Sequence, residues 1–314
     1  MTRLKLAIPS KGRLKDNAES WLARAGFKLR QSGGDRGYTA ELKGLPDADV
    51  LLLSAREIAQ GLIDGSFHLG VTGEDLLNDL SADLSRDASV IKRLEFGGAD
   101  VVVAVPAAWL DVNTMSDLEA AGARFRQRHG RRMKVATKYL RLTRNYFSEK
   151  SVGEYRLVES AGATEAAPAS GQAEVIVDIT STGSTLRANS LKVLDDGVIL
   201  RSRAALAGSL RADWSPGAKA ALQQLLASVE AVESADATSL LMVSGDVPAQ
   251  LVEALSLIPM GDRSYLSRSG QAVENARLLA DSGVKSVAIL KSDFIFDQAT
   301  PSYEAFIAQF DADA

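Results

Sequence analysis

The residues best suited to chemistry lie in one short stretch, at 175–186. An apolar run there indicates a buried strand that ends at the acid Asp178, and a loop of small hydroxyl residues leads into a helix. Backbone N–H groups at such a turn, together with the positive end of the helix dipole, attract an anion. The candidate anion ligands are Thr180, Ser181, Thr182, Gly183, Ser184 and Thr185. The same composition also fits an ordinary strand–helix turn, so the residues alone leave both interpretations open.

Asp178 has a different chemistry from the loop that follows it. An acid at the end of a strand in this position often accepts hydrogen bonds from sugar hydroxyls. Gly183 lets the backbone approach a ligand closely. Together the acid and the loop suit a sugar phosphate.

A second strand–turn–helix unit occurs at the start of the chain. Residues 4–8 indicate a strand, and Lys11, Gly12 and Arg13 lie in the turn that enters a helix. Cations at a helix N-terminus oppose its dipole, so their placement indicates a bound phosphate or pyrophosphate. The alternative is a solvated, charged first turn.

A third unit places Gly73, Glu74 and Asp75 after an apolar run at 69–72. The two acids either stabilise the start of a helix or hold a sugar or an amine. His68, which precedes this strand, is interpreted as structural. A basic run at 124–134 is interpreted as a solvated face, with attraction of a polyphosphate as the alternative.

The order of these units predicts how they are positioned. Strand-like and helix-like segments alternate up to about residue 210, which predicts an α/β fold with largely parallel sheets. Ligands of such sheets bind at the carboxyl ends of the strands, where all these turns lie. The remaining third begins with a long helical pattern at 216–232 and ends with strand-like runs at 284–290 and 292–296. It predicts a small separate βαβ-like domain.

Composition excludes several classes of protein. The chain has 314 residues, no cysteine, two histidines and a formal net charge of −4. It therefore lacks a thiolate nucleophile and a Cys- or His-rich metal site, and its charge argues against nucleic-acid binding. Without an export signal or an apolar stretch long enough to cross a bilayer, we expect a cytoplasmic protein with no membrane partner.

Four blocks now carry a resemblance. They span residues 9–14, 70–75, 136–147 and 175–186, and the third contains Tyr139. In wording and in order these blocks resemble the ATP phosphoribosyltransferase family, and specifically its long form. The resemblance covers residues 9–189.

The resemblance implies a fold. Two α/β domains like the type II periplasmic binding proteins would form a catalytic cleft, and a small C-terminal α+β domain would be ACT-like, that is, ferredoxin-like. Domain I would comprise residues 1–95 and 190–212. Domain II, with the phosphoribosyl-binding loop, would comprise residues 96–189. Residues 213–314 would form a linker helix and a regulatory domain.

The resemblance also implies a reaction, the first step of L-histidine biosynthesis. N1 of ATP attacks C1 of phosphoribosyl pyrophosphate (PRPP), with Mg²⁺ as cofactor, giving phosphoribosyl-ATP and pyrophosphate. Such a transfer needs charge stabilisation and orientation rather than a protein nucleophile. We expect histidine as a feedback inhibitor and a homo-oligomer between dimer and hexamer. The alternative function is a non-enzymatic module that binds a small anion in the same cleft.

Roles follow for individual residues. Residues 182–185 would hold the 5′-phosphate, and Asp178 the ribose hydroxyls, directly or through metal-bound water. Lys11 and Arg13 would lie near pyrophosphate or the ATP phosphates. Glu74, Asp75 and Tyr139 would lie at the cleft.

Overall fold

The structure is a computed structural model that describes residues 3–32, 38–160 and 162–311; the few other residues of the predicted domains lie outside it. The strands are β1 (Leu4–Pro9), β2 (Lys28–Ser32), β3 (Thr39–Lys43), β4 (Ala48–Leu53), β5 (Leu69–Gly73), β6 (Ala88–Arg93), β7 (Ala99–Pro106), β8 (Met133–Thr137), β9 (Tyr155–Glu159), β10 (Val175–Thr180), β11 (Leu191–Ser202), β12 (Ala204–Ser209), β13 (Thr238–Ser244), β14 (Ile258–Gly261), β15 (Ser264–Arg268) and β16 (Ser286–Leu290). The helices are α1 (Gly12–Arg24), α2 (Ala55–Ile63), α3 (Glu74–Leu80), α4 (Leu84–Asp87), α5 (Met115–His129), α6 (Leu140–Glu149), α7 (Ser184–Ala188), α8 (Pro216–Ala237), α9 (Ala249–Ala254), α10 (Ala272–Asp281) and α11 (Pro301–Asp311).

The first sheet has the strand order β2-β3-β4-β1-β5-β12-β6. Its central strand β1 is apolar on both faces because each face carries its own core. Leu6 and Ile8 belong to the core shared with α1 and α8, whereas Ala7 belongs to the core shared with α2 and α3. Helices therefore cover both faces of this sheet.

The second sheet has the order β11-β7-β10-β8-β9, and the chain crosses between the two sheets twice. It leaves the first sheet through residues 94–98, between β6 and β7, and returns at Arg203, between β11 and β12. This confirms the two α/β bodies expected from the resemblance. The sheets are mixed rather than largely parallel, because β7, β11 and β12 pair antiparallel with their neighbours.

The return crossing lies later than predicted. Residues 190–212 were expected in the first body, but β11 pairs with β7 in the second sheet. Residues 195–197 form an irregularity inside β11, where the register shifts between Val193 and Val198. Two acids and a glycine, Asp195-Asp196-Gly197, therefore interrupt the strand without ending it.

The C-terminal sheet has the order β14-β15-β13-β16 and every pairing in it is antiparallel. Its chain order, β13-α9-β14-β15-α10-β16, is the βαββαβ pattern of ferredoxin-like folds. The predicted strand at 292–296 is wrong, because no strand forms there. After β16 the chain returns through α11, whose Phe306 is buried in the core of the first sheet.

His68 fastens the start of α8 to the first sheet. Its Nδ1 accepts from the Lys5 backbone N–H at 2.9 Å, and its Nε2 lies 2.9 Å from the Asp213 carbonyl oxygen, to which it donates. The ring also packs edge-on against Trp214. These contacts agree with the structural interpretation of His68. Within the described ranges, no helix is long and apolar enough to cross a bilayer.

Candidate active site

The four sequence blocks lie at the carboxyl edges of the two sheets. β1 and β5 are parallel neighbours, so the turns at Lys11 and at Gly73 leave the first sheet at the same edge. β8 and β10 are parallel neighbours in the second sheet, so the turn at Lys138 and the Asp178 loop share an edge as well. Each sheet thus contributes two of the four blocks to one edge.

A buried hydrogen bond joins the two edges. The Tyr139 hydroxyl, at the start of α6, donates to Asp75 Oδ2 at 2.6 Å, at the start of α3. The Ser202 hydroxyl donates to Asp75 Oδ1 at 2.8 Å, next to the second crossing. Burial, followed by the charge of Asp75, strongly raises the pKa of the Tyr139 phenol, so it stays protonated and remains a donor. Tyr139 and Asp75 therefore hold the two bodies face to face.

Gly73 makes room for this arrangement. The Asp75 side chain folds back over the turn, and a Cβ on Gly73 would lie only 2.1 Å from Asp75 Oδ1. Any other residue would displace the carboxylate. The glycine predicted as a ligand contact thus has a steric role in the structure.

Glu74 is engaged on the other side of the same turn. Its Oε1 accepts from Arg93 Nε at 2.8 Å, and its backbone N–H donates to the Arg203 carbonyl oxygen at 3.0 Å. Arg93 ends β6, just before the first crossing, so Glu74 touches both crossings. Its carboxylate is thus already paired in this structure.

Asp178 is half-buried and lies inside β10, two residues before the strand ends at Thr180. Burial raises the pKa of its carboxyl group; the Ile179 N–H and Lys138 lower it, and Glu165 raises it further. Asp178 also acts on Tyr139, since its charge contributes to the raised pKa of the phenol. Asp178, Lys138 and Tyr139 are therefore close enough to interact electrostatically.

The loop after Asp178 has its own hydrogen bonds. The Gly183 N–H donates to Thr180 Oγ1 at 2.9 Å, and the Thr182 hydroxyl donates to Ser184 Oγ at 2.9 Å. Gly183 has a φ of 70°, in the left-handed region that favours glycine. The other members of the loop, Ser181, Thr182, Ser184 and Thr185, are exposed and open to a ligand.

Lys11, Gly12 and Arg13 are exposed at the start of α1. Neither side chain forms a hydrogen bond or an ion pair with any residue of the described ranges. The structure therefore places them on the same edge as Gly73 but leaves their charges unneutralised.

The residues present can hold a metal only with help from a substrate. Among the residues that the structure describes, no group of three or more His, Asp or Glu side chains could hold an ion. Mg²⁺ commonly binds one or two carboxylates together with substrate phosphates. Asp178 fits that use because its carboxylate stands beside the loop predicted to bind phosphate.

Several residues of the site were not predicted. Lys138 faces Asp178, and its only sequence signal is its position beside Tyr139 at the end of a strand. Ser202 donates to Asp75, 127 residues away along the chain, and Asp79 accepts from the Arg141 N–H at the start of α6, 62 residues away. Their residue types carry no local signal, because an isolated serine or an acid inside a helix has many uses.

Known proteins resemble this chain along almost its whole length. The family model of ATP phosphoribosyltransferase (HisG) matches residues 54–231. An ATP phosphoribosyltransferase of Caulobacter vibrioides is 47% identical over 310 residues, covering 97% of both chains. One of Rhodopseudomonas palustris is 46% identical over 319 residues, covering 97% of this chain and 98% of its own.

A solved structure agrees on the fold. It is the ATP phosphoribosyl transferase (HisG:HisZ) complex from Thermotoga maritima, of which a chain aligns with a TM-score of 0.55 at 24% identity. The alignment covers 72% of this chain and 98% of that one. With the family model and the two relatives, the conclusion is that this chain belongs to the ATP phosphoribosyltransferase family.

Proposed function

We propose that the cleft between the two sheets transfers the phosphoribosyl group of PRPP to N1 of ATP, releasing pyrophosphate. This is the first step of L-histidine biosynthesis and makes the chain a pentosyltransferase. Identity of 47% over 97% of the chain to a named ATP phosphoribosyltransferase carries this conclusion. The geometry supports it, because the four blocks lie at two facing strand edges.

The 180–185 loop is assigned to the 5′-phosphate of PRPP. The exposed hydroxyls of Ser181, Thr182, Ser184 and Thr185 and the backbone at Gly183 supply donors to phosphate oxygens. Thr180 supports the loop from below, since its Oγ1 accepts from the Gly183 N–H. The role of this loop is to fix the donor before reaction.

Asp178 is assigned to the ribose hydroxyls, directly or through water on Mg²⁺. A carboxylate there also favours the positive charge that develops on the ribose ring during transfer. Mg²⁺ supplies charge neutralisation for the pyrophosphate. Lys11 and Arg13 are assigned to pyrophosphate or the ATP phosphates, because both are exposed cations at the first sheet's edge that form no ion pair with the described residues.

Asp75, Tyr139 and Glu74 receive a different assignment from the one their sequence positions predicted. Their polar groups are paired with each other or with Ser202 and Arg93. We therefore assign them to holding the two bodies in register around the cleft. Histidine binding to the C-terminal ferredoxin-like sheet and assembly into a homo-oligomer complete the proposal.

The test is to mix the protein with ATP, PRPP, Mg²⁺ and pyrophosphatase and to follow the ultraviolet absorbance of phosphoribosyl-ATP. We expect turnover that the Asp178→Ala variant loses. Asp195→Ala is the matched control, because Asp195 is an exposed acid of the same sheet, and it should keep wild-type turnover. Full activity of the Asp178→Ala variant would remove Asp178 from the site. No product with wild-type protein, combined with calorimetric binding of PRPP, would favour the non-enzymatic alternative.

A further inference from the structure

The N-terminus of α6 receives its cap from the other sheet's side of the cleft. Tyr139 precedes the helix but makes no side-chain cap, and the first turn of α6 contains no acid. Instead, Asp79 Oδ1 of α3 accepts from the backbone N–H groups of Arg141 at 2.9 Å and Leu142 at 3.1 Å. These two donors have no partner within the helix itself.

Asp79 is held firmly for this purpose. Its residue is 5% exposed, and its Oδ2 lies 4.0 Å from Arg56 Nη1. The Arg141 Nε donates to the Asp79 carbonyl oxygen at 3.3 Å, so the two helix segments are joined by backbone as well as side chain. Burying a carboxylate to this degree is costly unless it is paired and hydrogen-bonded, and these contacts offset that cost.

Asp75 and Asp79 lie four residues apart and so share one face of α3. Asp75 holds the Tyr139 hydroxyl, and Asp79 holds the first N–H groups of the helix that Tyr139 begins. Two attachment points on α3 fix both the position and the rotation of the start of α6. One attachment alone would leave α6 free to pivot about it.

The position of Lys138 depends on how the start of α6 is held. It immediately precedes Tyr139, its Nζ lies 5.0 Å from the Tyr139 ring centroid, and its charge lowers the pKa of Asp178. A shift of the start of α6 therefore moves the Lys138 amine relative to Asp178, the residue assigned to the ribose hydroxyls.

We propose that Asp79 is a positioning residue for the transfer reaction, which acts by capping α6 across the cleft and so fixes Lys138 and Tyr139 beside Asp178. This inference rests on the proposed function of the cleft. Asp79 itself contacts no substrate.

The first readout is structural and independent of catalysis. In the Asp79→Ala variant, amide hydrogen exchange at residues 140–142 should be faster than in the wild type, because two N–H groups lose their acceptor. Asp79→Asn keeps an acceptor oxygen and should show an intermediate rate. Asp87→Asn is the matched control: this carboxylate is equally buried in the first body, where it binds Ser81 and Arg211. It should leave exchange at residues 140–142 unchanged.

The second readout is the split between KM and kcat. A displacement of Lys138 should raise KM for PRPP and lower kcat/KM by about 10- to 100-fold in Asp79→Ala, since small misplacements of this kind carry such costs. The Asp79→Asn variant should recover part of that loss. A merely structural cap would lower the folded fraction, and with it the apparent kcat, while KM remained at its wild-type value.

The outcomes separate the two proposals. Faster exchange at residues 140–142 together with a raised KM supports the positioning role. Unchanged exchange, or faster exchange with an unchanged KM and an unchanged calorimetric Kd for PRPP, overturns it. If the wild-type protein makes no phosphoribosyl-ATP, the proposed function fails, and the exchange rates and the Kd still decide whether Asp79 orders this corner for ligand binding.

Discussion

Removing one hydroxyl group tests how the two bodies are held together. Tyr139→Phe deletes the donor of the 2.6 Å hydrogen bond to Asp75 Oδ2 and nothing else. The ring is fully buried, and phenylalanine keeps its volume and its packing in the core of the second sheet. The substitution therefore isolates the bond across the cleft from the burial of the ring.

The magnitude follows from the partners of the bond. A hydrogen bond to a charged group contributes about 1.5–3 kcal/mol, roughly twice the value for a neutral pair. Asp75 keeps its contact with the Ser202 hydroxyl at 2.8 Å, so the carboxylate is not left without a partner. We therefore expect Tyr139→Phe to lower the free energy of unfolding by about 2 kcal/mol.

The assay is urea unfolding followed by both tryptophan fluorescence and circular dichroism, because coincident transitions permit a single free energy. A double-mutant cycle with Asp75→Ala, which removes the acceptor, isolates the pairwise contribution. The control is Tyr146→Phe, whose hydroxyl donates to the neutral backbone carbonyl of Asp196 within the second sheet. That change should cost about 1 kcal/mol.

One result would refute this reasoning. If the cycle gave a coupling energy below about 0.5 kcal/mol, which is the usual limit of additivity for independent sites, the bond would not join the bodies energetically. An equal loss in Tyr139→Phe and Tyr146→Phe would likewise show that the charge of Asp75 adds nothing.

Three further predictions concern the surroundings of the cleft. If turnover needs an ionised Asp178, it should fall as the pH drops through the pKa of this carboxyl, which lies above the ordinary aspartate value. Because Glu165 raises this pKa, Glu165→Gln should move the acidic limb of the pH–rate profile to lower pH. An unmoved limb would contradict the assignment of Asp178. Gly73→Ala should displace the Asp75 carboxylate and cost about 2 kcal/mol of stability in urea unfolding; wild-type stability would show that the turn can adapt. His68→Phe should leave the Lys5 N–H unpaired and remove one of the two donors to the Asp213 carbonyl, which keeps the Ser215 N–H, and so cost roughly 1–3 kcal/mol. A thermal unfolding midpoint equal to that of the wild type would show that water replaces the imidazole.

The predicted architecture succeeded where local patterns were strong. The strand that begins at Val175, the turn after it and the helix starts at Gly12 and Glu74 follow from apolar runs that end at polar or glycine-containing turns, although β10 continues two residues beyond the predicted end at Asp178. Prediction failed where pairing decides the outcome. Residues 191–202 continue through a turn-like sequence because β7 pairs with them on both sides of the irregularity.

The sequence by itself determined the chemistry of this protein: which residue types lie at the strand ends, and which family the four sequence blocks resemble. Those features are local, because a turn sequence specifies its own donors and charges. Only the tertiary structure decided which of these groups are free to meet a ligand. Asp75 and Tyr139, 64 positions apart, are hydrogen-bonded to each other. Asp79, on α3, caps the N-terminus of α6. The loop after Asp178 and the cations at Lys11 and Arg13 remain open. Such contacts arise because α3 of one body packs against α6 of the other, and no spacing along the chain predicts them.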